Sequence, residues 1–343
     1  MEMKKLELSI FGLDKPVKEE GFVEIETETG TVELPVFILQ GGKGPRLTVV
    51  GAQHSCEYCG TDGILALMED LRRLEPEEMK GSIVLIPVAN VPGYPVRALN
   101  VSQFDGSNLN RSYPGSPTGS AAQRIAHTIW SIAKTGDFVL DLHGGDMTED
   151  IIQYAEMHLS DDEAVNRKSL ELAACFDLEN VLFSVAGTEY AYPDFRSLYG
   201  LAQENGIPAA IVEAGGSGIS DETSIEYFYE GLKNVLMELG FTDKLSVKEG
   251  FRGKKESLWV TMGVSCITHR NSWGIFKSWV KAGGRVAKGQ EIGQVLDYLG
   301  HVVDRVISPR NGIISLVHSP RGKNSEDMIY MILDAEQGER VEI

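Results

Sequence analysis

Arg46-Leu47-Thr48-Val49-Val50-Gly51-Ala52-Gln53-His54-Ser55-Cys56-Glu57-Tyr58-Cys59-Gly60 carries the reading of the fold. Its first six residues are a short apolar run bounded by turn residues, which predicts a buried strand. From 60 to 74 the apolar residues Ile64, Leu65, Leu67, Met68 and Leu71 keep helical spacing. A strand that runs through a short loop into a helix is the repeating unit of an α/β sheet. The same punctuation recurs along the chain. Apolar runs at 82–89, 137–142 and 208–212 predict strands, and residues 123–134, 195–205 and 225–239 predict helices. Residues 22–40 alternate apolar and polar around Thr29-Gly30, which predicts an antiparallel hairpin. Together these predict an α/β domain over residues 1–250, with a mixed, largely parallel sheet and helices on both faces.

The pattern changes beyond residue 255. Trp259-Val260-Thr261-Met262, Gly274-Ile275-Phe276-Lys277, Glu291-Ile292-Gly293-Gln294-Val295 and Gly312-Ile313-Ile314-Ser315-Leu316-Val317 are short runs separated by glycine turns, without a helical stretch. Residues 256–343 therefore read as a small all-β domain, and 241–255 as the linker. Charge changes at the same place. The whole chain of 343 residues has a formal net charge of −18, all of it in residues 1–255, and the remainder is neutral. Such an acidic balance excludes nucleic acid and an anionic membrane surface as partners. No apolar run approaches the ~18 residues of a membrane span. The N-terminus lacks the apolar core of a secretory signal, and four cysteines are too few for a disulfide framework. Cytoplasm is the expected location.

Three predicted strands end in residues suited to chemistry. His54 and Glu57 follow the first, His143 closes Asp141-Leu142-His143-Gly144-Gly145, and Glu213 closes Ile211-Val212-Glu213-Ala214-Gly215-Gly216. In open α/β sheets ligands bind beyond the carboxyl ends of the strands. Each motif alone is weak: an H-x-x-E pair is usually a surface contact, and a lone strand-end histidine is usually structural. In combination, two histidines and a glutamate are the ligand set of a catalytic zinc with an open position, and a further carboxylate supplies a base. The loop Asp105-Gly106-Ser107-Asn108-Leu109-Asn110-Arg111-Ser112-Tyr113-Pro114-Gly115 adds an arginine whose planar fork suits a carboxylate. Cys56-Glu57-Tyr58-Cys59 is formally C-x-x-C, but without a second such pair it reads as two small buried residues rather than a redox centre.

In this order, the H-x-x-E pair, Asn108-Leu109-Asn110-Arg111, Asp141-Leu142-His143 and Val212-Glu213-Ala214-Gly215-Gly216 resemble the succinylglutamate desuccinylase/aspartoacylase family. The likeness spans about residues 45 to 240. It implies a zinc carboxypeptidase-like fold, one Zn2+ per chain, and hydrolysis of the amide in a small anionic N-acyl amino acid or related N-acylated amine. It also implies roles. His54, Glu57 and His143 would be the metal ligands, Glu213 the catalytic base, and Asn110 with Arg111 the grip on the substrate carboxylate. Many relatives carry an arginine ten residues before that asparagine; here the position is Asn100, and Arg97 is the candidate to fill the same space. The lost cation favours a neutral acyl group such as acetyl over succinyl. The alternatives are a carboxypeptidase-like exopeptidase and a binding protein that keeps the fold. A homo-oligomer is open. The segments Val280-Lys281-Ala282-Gly283-Gly284 and Ile307-Ser308-Pro309-Arg310-Asn311-Gly312 resemble the barrel-sandwich halves of biotinyl/lipoyl carriers. The stretch Asp297-Tyr298-Leu299-Gly300-His301-Val302-Val303-Asp304-Arg305 between them has no lysine, so the expected role is a lid or scaffold.

Overall fold

The computed structural model describes residues 4–12, 15–97, 105–184, 197–251, 255–268 and 272–343. Asn100 and His269 lie outside them.

The chain builds one large sheet before it builds anything else. A long hairpin, β1 (Val17–Thr27) and β2 (Gly30–Gln40), is paired antiparallel along its whole length. β3 (Arg46–Gly51) leads into helix α1 (Cys59–Leu71), and β4 (Ser82–Ile86) pairs parallel to β3. After α2 (Ala121–Ala133), β5 (Phe138–His143) pairs parallel to β3 on its other side. A short β6 (Glu149–Ile151), β7 (Tyr154–His158), α3 (Glu163–Ala173), β8 (Asn180–Ser184), α4 (Leu198–Glu204), β9 (Ala209–Glu213) and α5 (Glu222–Glu238) follow. Adding β10 (Ser257–Thr261) and β19 (Gly338–Glu342), the sheet runs β1-β2-β4-β3-β5-β9-β7-β8-β10-β19. The block β4-β3-β5-β9 is parallel, and β7 reverses direction against β9.

Period-two alternation divides the side chains between two cores. Leu140 and Leu142 of β5 and Ala210 and Val212 of β9 join α1 and α5 on one face. Val139, Ala209 and Ile211 join α2 and α4 on the other. Asp141, His143 and Glu213 therefore point to the α2/α4 face, as does Glu156, which lies between Ala155 and Met157 of β7. Gly60 opens α1 against the end of β5, where an added Cβ would lie 2.8 Å from the Leu142 Cβ. Burial of Leu142 is complete, and truncating such a leucine costs about 2–5 kcal/mol.

The remaining strands form two smaller sheets. β11 (Val264–Ile267), β18 (Tyr330–Asp334), β16 (Gly312–His318) and β13 (Arg285–Val286) make one. β15 (Val302–Ile307), β14 (Glu291–Leu296), β12 (Gly274–Ser278) and β17 (Gly322–Lys323) make the other. Phe276, Ile292, Val295, Val306, Ile314, Tyr330 and Ile332 fill the core between them. This is the expected barrel-sandwich-like addition. The tip between β14 and β15 closes with Asp297 N–H to His301 O, and exposes Tyr298 and Leu299. Lys281 and Lys288 are exposed in turns away from that tip.

The two parts are stitched together. β6 leaves the α/β region to pair antiparallel with β16, setting Glu149 against His318 and Ile151 against Leu316. Conversely, β10 and β19 complete one edge of the large sheet. Sequence periodicity did not announce β6, β7, α3 or β8. Among the described residues no helix is long and apolar enough to cross a membrane.

Candidate metal centre

β3 ends at Gly51, and Ala52 turns the chain out of the sheet in a left-handed conformation (φ +49°). Such a conformation costs a non-glycine residue about 1 kcal/mol or more and persists only where surrounding structure holds it. The next turn, closed by Glu57 N–H to the His54 carbonyl at 3.2 Å, puts both side chains on one side. The pair thus sits in the loop before α1, not on the helix.

His143 arrives from the end of β5. Its Nδ1 lies 2.8 Å from Glu57 Oε2, while His54 Nδ1 lies 2.7 Å from Glu57 Oε1. The two rings meet edge to face, 4.8 Å between centroids. Among the described residues, His54, Glu57 and His143 form a group whose ligand atoms lie within 4.8 Å of one another. The outer nitrogens have partners too. His54 Nε2 is 3.2 Å from Asn108 Oδ1, and His143 Nε2 is 3.1 Å from Asp141 Oδ1. Inner nitrogens converging on a carboxylate, with outer nitrogens facing oxygen acceptors, is the arrangement that metal-binding histidines adopt. The donor set fits a divalent, zinc-like ion.

Electrostatics agree with that fit. Burial works against the Glu57 carboxylate, but His54 and His143 together hold its pKa down to about 2. Burial would lower the His143 pKa, yet the Asp141 and Glu57 carboxylates hold it well above the ordinary value. The carboxylates of Glu57 and Asp141 thus set a negative field around the His143 ring.

Glu213 is the register partner of His143 on the neighbouring parallel strand, so the two share a face. The residue keeps some accessible surface, yet burial dominates the electrostatics of its carboxyl. Burial pushes its pKa well above the carboxylate range; His143 opposes this, and Glu57, Glu156 and Glu149 reinforce it. Glu149 is pushed up to about 8 by burial and by Asp146. Glu156 is buried and accepts the Tyr199 hydroxyl at 2.6 Å. Asp146, Glu149, Glu156 and Tyr199 were not singled out from sequence. Glu156 is the one acid in the five residues of β7.

Close backbone packing shapes this end of the sheet. A Cβ on Gly144 would fall 2.4 Å from the Ala214 carbonyl oxygen, and one on Gly216 would fall 2.1 Å from that of Glu149. The glycines after both strands are thus required by contact. Gly144 N–H also donates to Glu57 Oε2 at 3.2 Å.

The 105–115 loop closes over the site. Asn110 is buried; its Oδ1 accepts Leu198 N–H at 3.2 Å, and its Nδ2 lies 3.3 Å from His143 Nε2. Arg111 follows at the end of a 3-10 turn (Leu109–Arg111), with Nη1 donating to the Asn110 carbonyl at 2.7 Å. Its charge reaches Tyr199. Arg97 is exposed at the end of the turn Tyr94–Val96 and acts electrostatically on Tyr58. Burial pushes Cys56 up to about 12 and Cys59 up to about 11, so both are thiols rather than reactive thiolates.

Comparison with known proteins follows the same lines. Residues 43–239 match the family described as Succinylglutamate desuccinylase/Aspartoacylase catalytic domain. The N-alpha-acetyl-L-2,4-diaminobutyric acid deacetylase of Halomonas elongata is 30% identical over 331 residues, 92% of this chain and 91% of that protein. A succinylglutamate desuccinylase from Silicibacter sp. TM1040 shares the fold with a TM-score of 0.79 at 23% identity, covering 94% of this chain and 97% of the other. The apo ectoine utilization protein EutE (DoeB) from Ruegeria pomeroyi has a TM-score of 0.74 at 25% identity, with the same coverage of 94% and 97%. With matched motifs, matched fold and a full-length relative, the chain belongs to the succinylglutamate desuccinylase/aspartoacylase family.

Proposed function

We propose that the protein is a zinc-dependent deacylase that hydrolyses the amide of a small N-acyl amino acid, with one Zn2+ per chain held by His54, Glu57 and His143. The observation that carries this is the convergence of those three donors beside Glu213, the register partner of His143. A zinc ion there supplies Lewis acidity, acidifying water to a pKa of about 7 and polarising an amide carbonyl. Glu213 takes a proton from the attacking water and returns it to the leaving amine. Burial and the neighbouring acids raise the proton affinity of Glu213, which suits a group that must take up a proton and hand it on. Arg111 holds the substrate carboxylate through its planar fork, and Asn110 beneath it braces the loop by accepting Arg111 Nη1 at its carbonyl and Leu198 N–H at its Oδ1. Arg97, exposed and acting on Tyr58, is the candidate to meet the acyl end.

The 30% identical relative is named for an acetylated diaminobutyrate, which favours acetyl as the acyl group. The buried acids around Glu213 suit an amine-bearing product. Residues 256–343 serve as scaffold, since β16 holds the strand that follows the His143 loop. The free cysteines agree with a reducing cytoplasm.

The test is kcat/KM for acetyl and succinyl versions of one amino acid, 2,4-diaminobutyrate included, on zinc-loaded protein. Acetyl is expected to lead, with free acid and free amine as products. Preference for succinyl refutes the acyl assignment, and release of amino acids from peptides points instead to a carboxypeptidase-like exopeptidase.

A further inference from the structure

We propose that Gln53 is a positioning residue that locks the Asp141 carboxylate behind His143 and ties it to the loop carrying Arg111. Metal affinity and carboxylate binding would then depend on one buried amide. The inference rests on the metal reading above but not on which amide is cleaved.

Gln53, Asp141 and Asn110 are almost completely buried, and Tyr113 nearly so. Gln53 Nε2 donates to Asp141 Oδ2 at 2.7 Å, and the Tyr113 hydroxyl donates to Gln53 Oε1 at 2.7 Å. Both ends of the Gln53 amide are engaged, its nitrogen facing Asp141 and its oxygen facing Tyr113. The same Nε2 lies 3.4 Å from Asn110 Oδ1, in the loop that carries Arg111. Gln53 therefore touches two residues of the substrate loop and the carboxylate behind a metal ligand.

Asp141 depends on this arrangement. Among the described residues, the group beside its Oδ1 is His143 Nε2, at 3.1 Å. Gln53 is thus the side chain that holds the other oxygen, Oδ2, and with it the rotation of the carboxylate toward His143. Without that donor the carboxylate is free to turn away from His143, and a buried charge loses a partner. Carboxylates behind metal-bound histidines orient the ring, and their loss typically weakens metal affinity 10–100-fold. Gln53 acts one bond further out, by holding Asp141.

The experiment is zinc affinity of the full chain by chelator competition, with Tm measured alongside. Gln53→Met keeps the shape and removes the donor; zinc affinity should fall roughly 10-fold or more, and KM for the N-acyl substrate should rise several-fold. Tyr113→Phe leaves the bond to Asp141 intact, so its zinc affinity should stay within about 3-fold while Tm falls. In an Asp141→Ala background, Gln53→Met should add no further loss of zinc affinity. If Gln53→Met does not fold, Gln53→Leu, which also lacks a donor, should give the same loss. Unchanged zinc affinity with lowered Tm overturns the proposal, because it leaves only a structural role. Additive losses in the Asp141→Ala background overturn it too, because Gln53 would then act by another route. A wild-type chain that binds zinc tightly but cleaves no N-acyl amino acid defeats the deacylase reading alone.

Discussion

Glu213→Gln should separate activity from stability in opposite directions. The substitution keeps size and polarity but cannot carry a proton from water to the leaving amine. Loss of a positioned general base costs roughly 10²–10⁴-fold in kcat, about 3–5 kcal/mol of barrier. Stability should move the other way. The folded protein holds the Glu213 pKa well above its ordinary value, through burial and the neighbouring acids. The unfolded chain therefore ionises first. As pH rises above about 4.5, toward the folded pKa, wild type loses stability that a neutral glutamine does not. The variant should match wild type near pH 4 and exceed it at pH 8. Kinetics with the N-acetyl amino acid, metal content by mass spectrometry and urea titrations of chelator-stripped protein at the two pH values read all three quantities. Near-normal turnover with metal bound would show that another group moves the proton. A variant less stable than wild type at pH 8 would refute the electrostatic account of the site.

His143→Ala should lose metal and activity together; full metal occupancy would remove His143 from the ligand set. Arg111→Ala should raise KM much more than it lowers kcat, because an ion pair made in ground and transition states is uniform binding; a fall in kcat alone would place Arg111 at the reacting bond. Glu149→Gln, in chelator-stripped protein, should gain about 1 kcal/mol or more over wild type as pH rises from 4.5 to about 8, since the folded pKa of Glu149 is about 8. An equal gain at pH 4 would show that packing, not charge, is responsible.

The sheet was legible because its strands are apolar runs ended by turn residues, a pattern that 46–51 and 208–212 carry almost without interruption. Boundaries shifted by a few residues: β4 stops at Ile86 rather than Ala89, ahead of Pro87, which cannot donate to a ladder. Residues 144–184 escaped because β6 is three residues long and β7 carries Glu156 and His158 within its five. The helix after them is capped by Asp162, which accepts from Ala164 and Val165, a signal that was present in the sequence. The convergence of His54, Glu57 and His143 could be anticipated because each follows or ends a strand. The groups that tune them could not. Gln53, Asn108 and Tyr113 are ordinary polar residues whose meaning comes from partners 50 or more residues away.

The pairing of β6 with β16 also bears on when the protein becomes competent. The strand that follows the His143 loop waits for a partner about 165 residues later in the chain. At ordinary rates of synthesis that interval lasts on the order of 10–30 s. For most of it the nascent chain already carries His54, Glu57, His143 and Glu213, but not the strand that holds the loop beside them. A pairing so distant in sequence is slow to form even in a finished chain. The emerging polypeptide should therefore stay catalytically silent, and recovery of activity on refolding should lag behind recovery of helical signal.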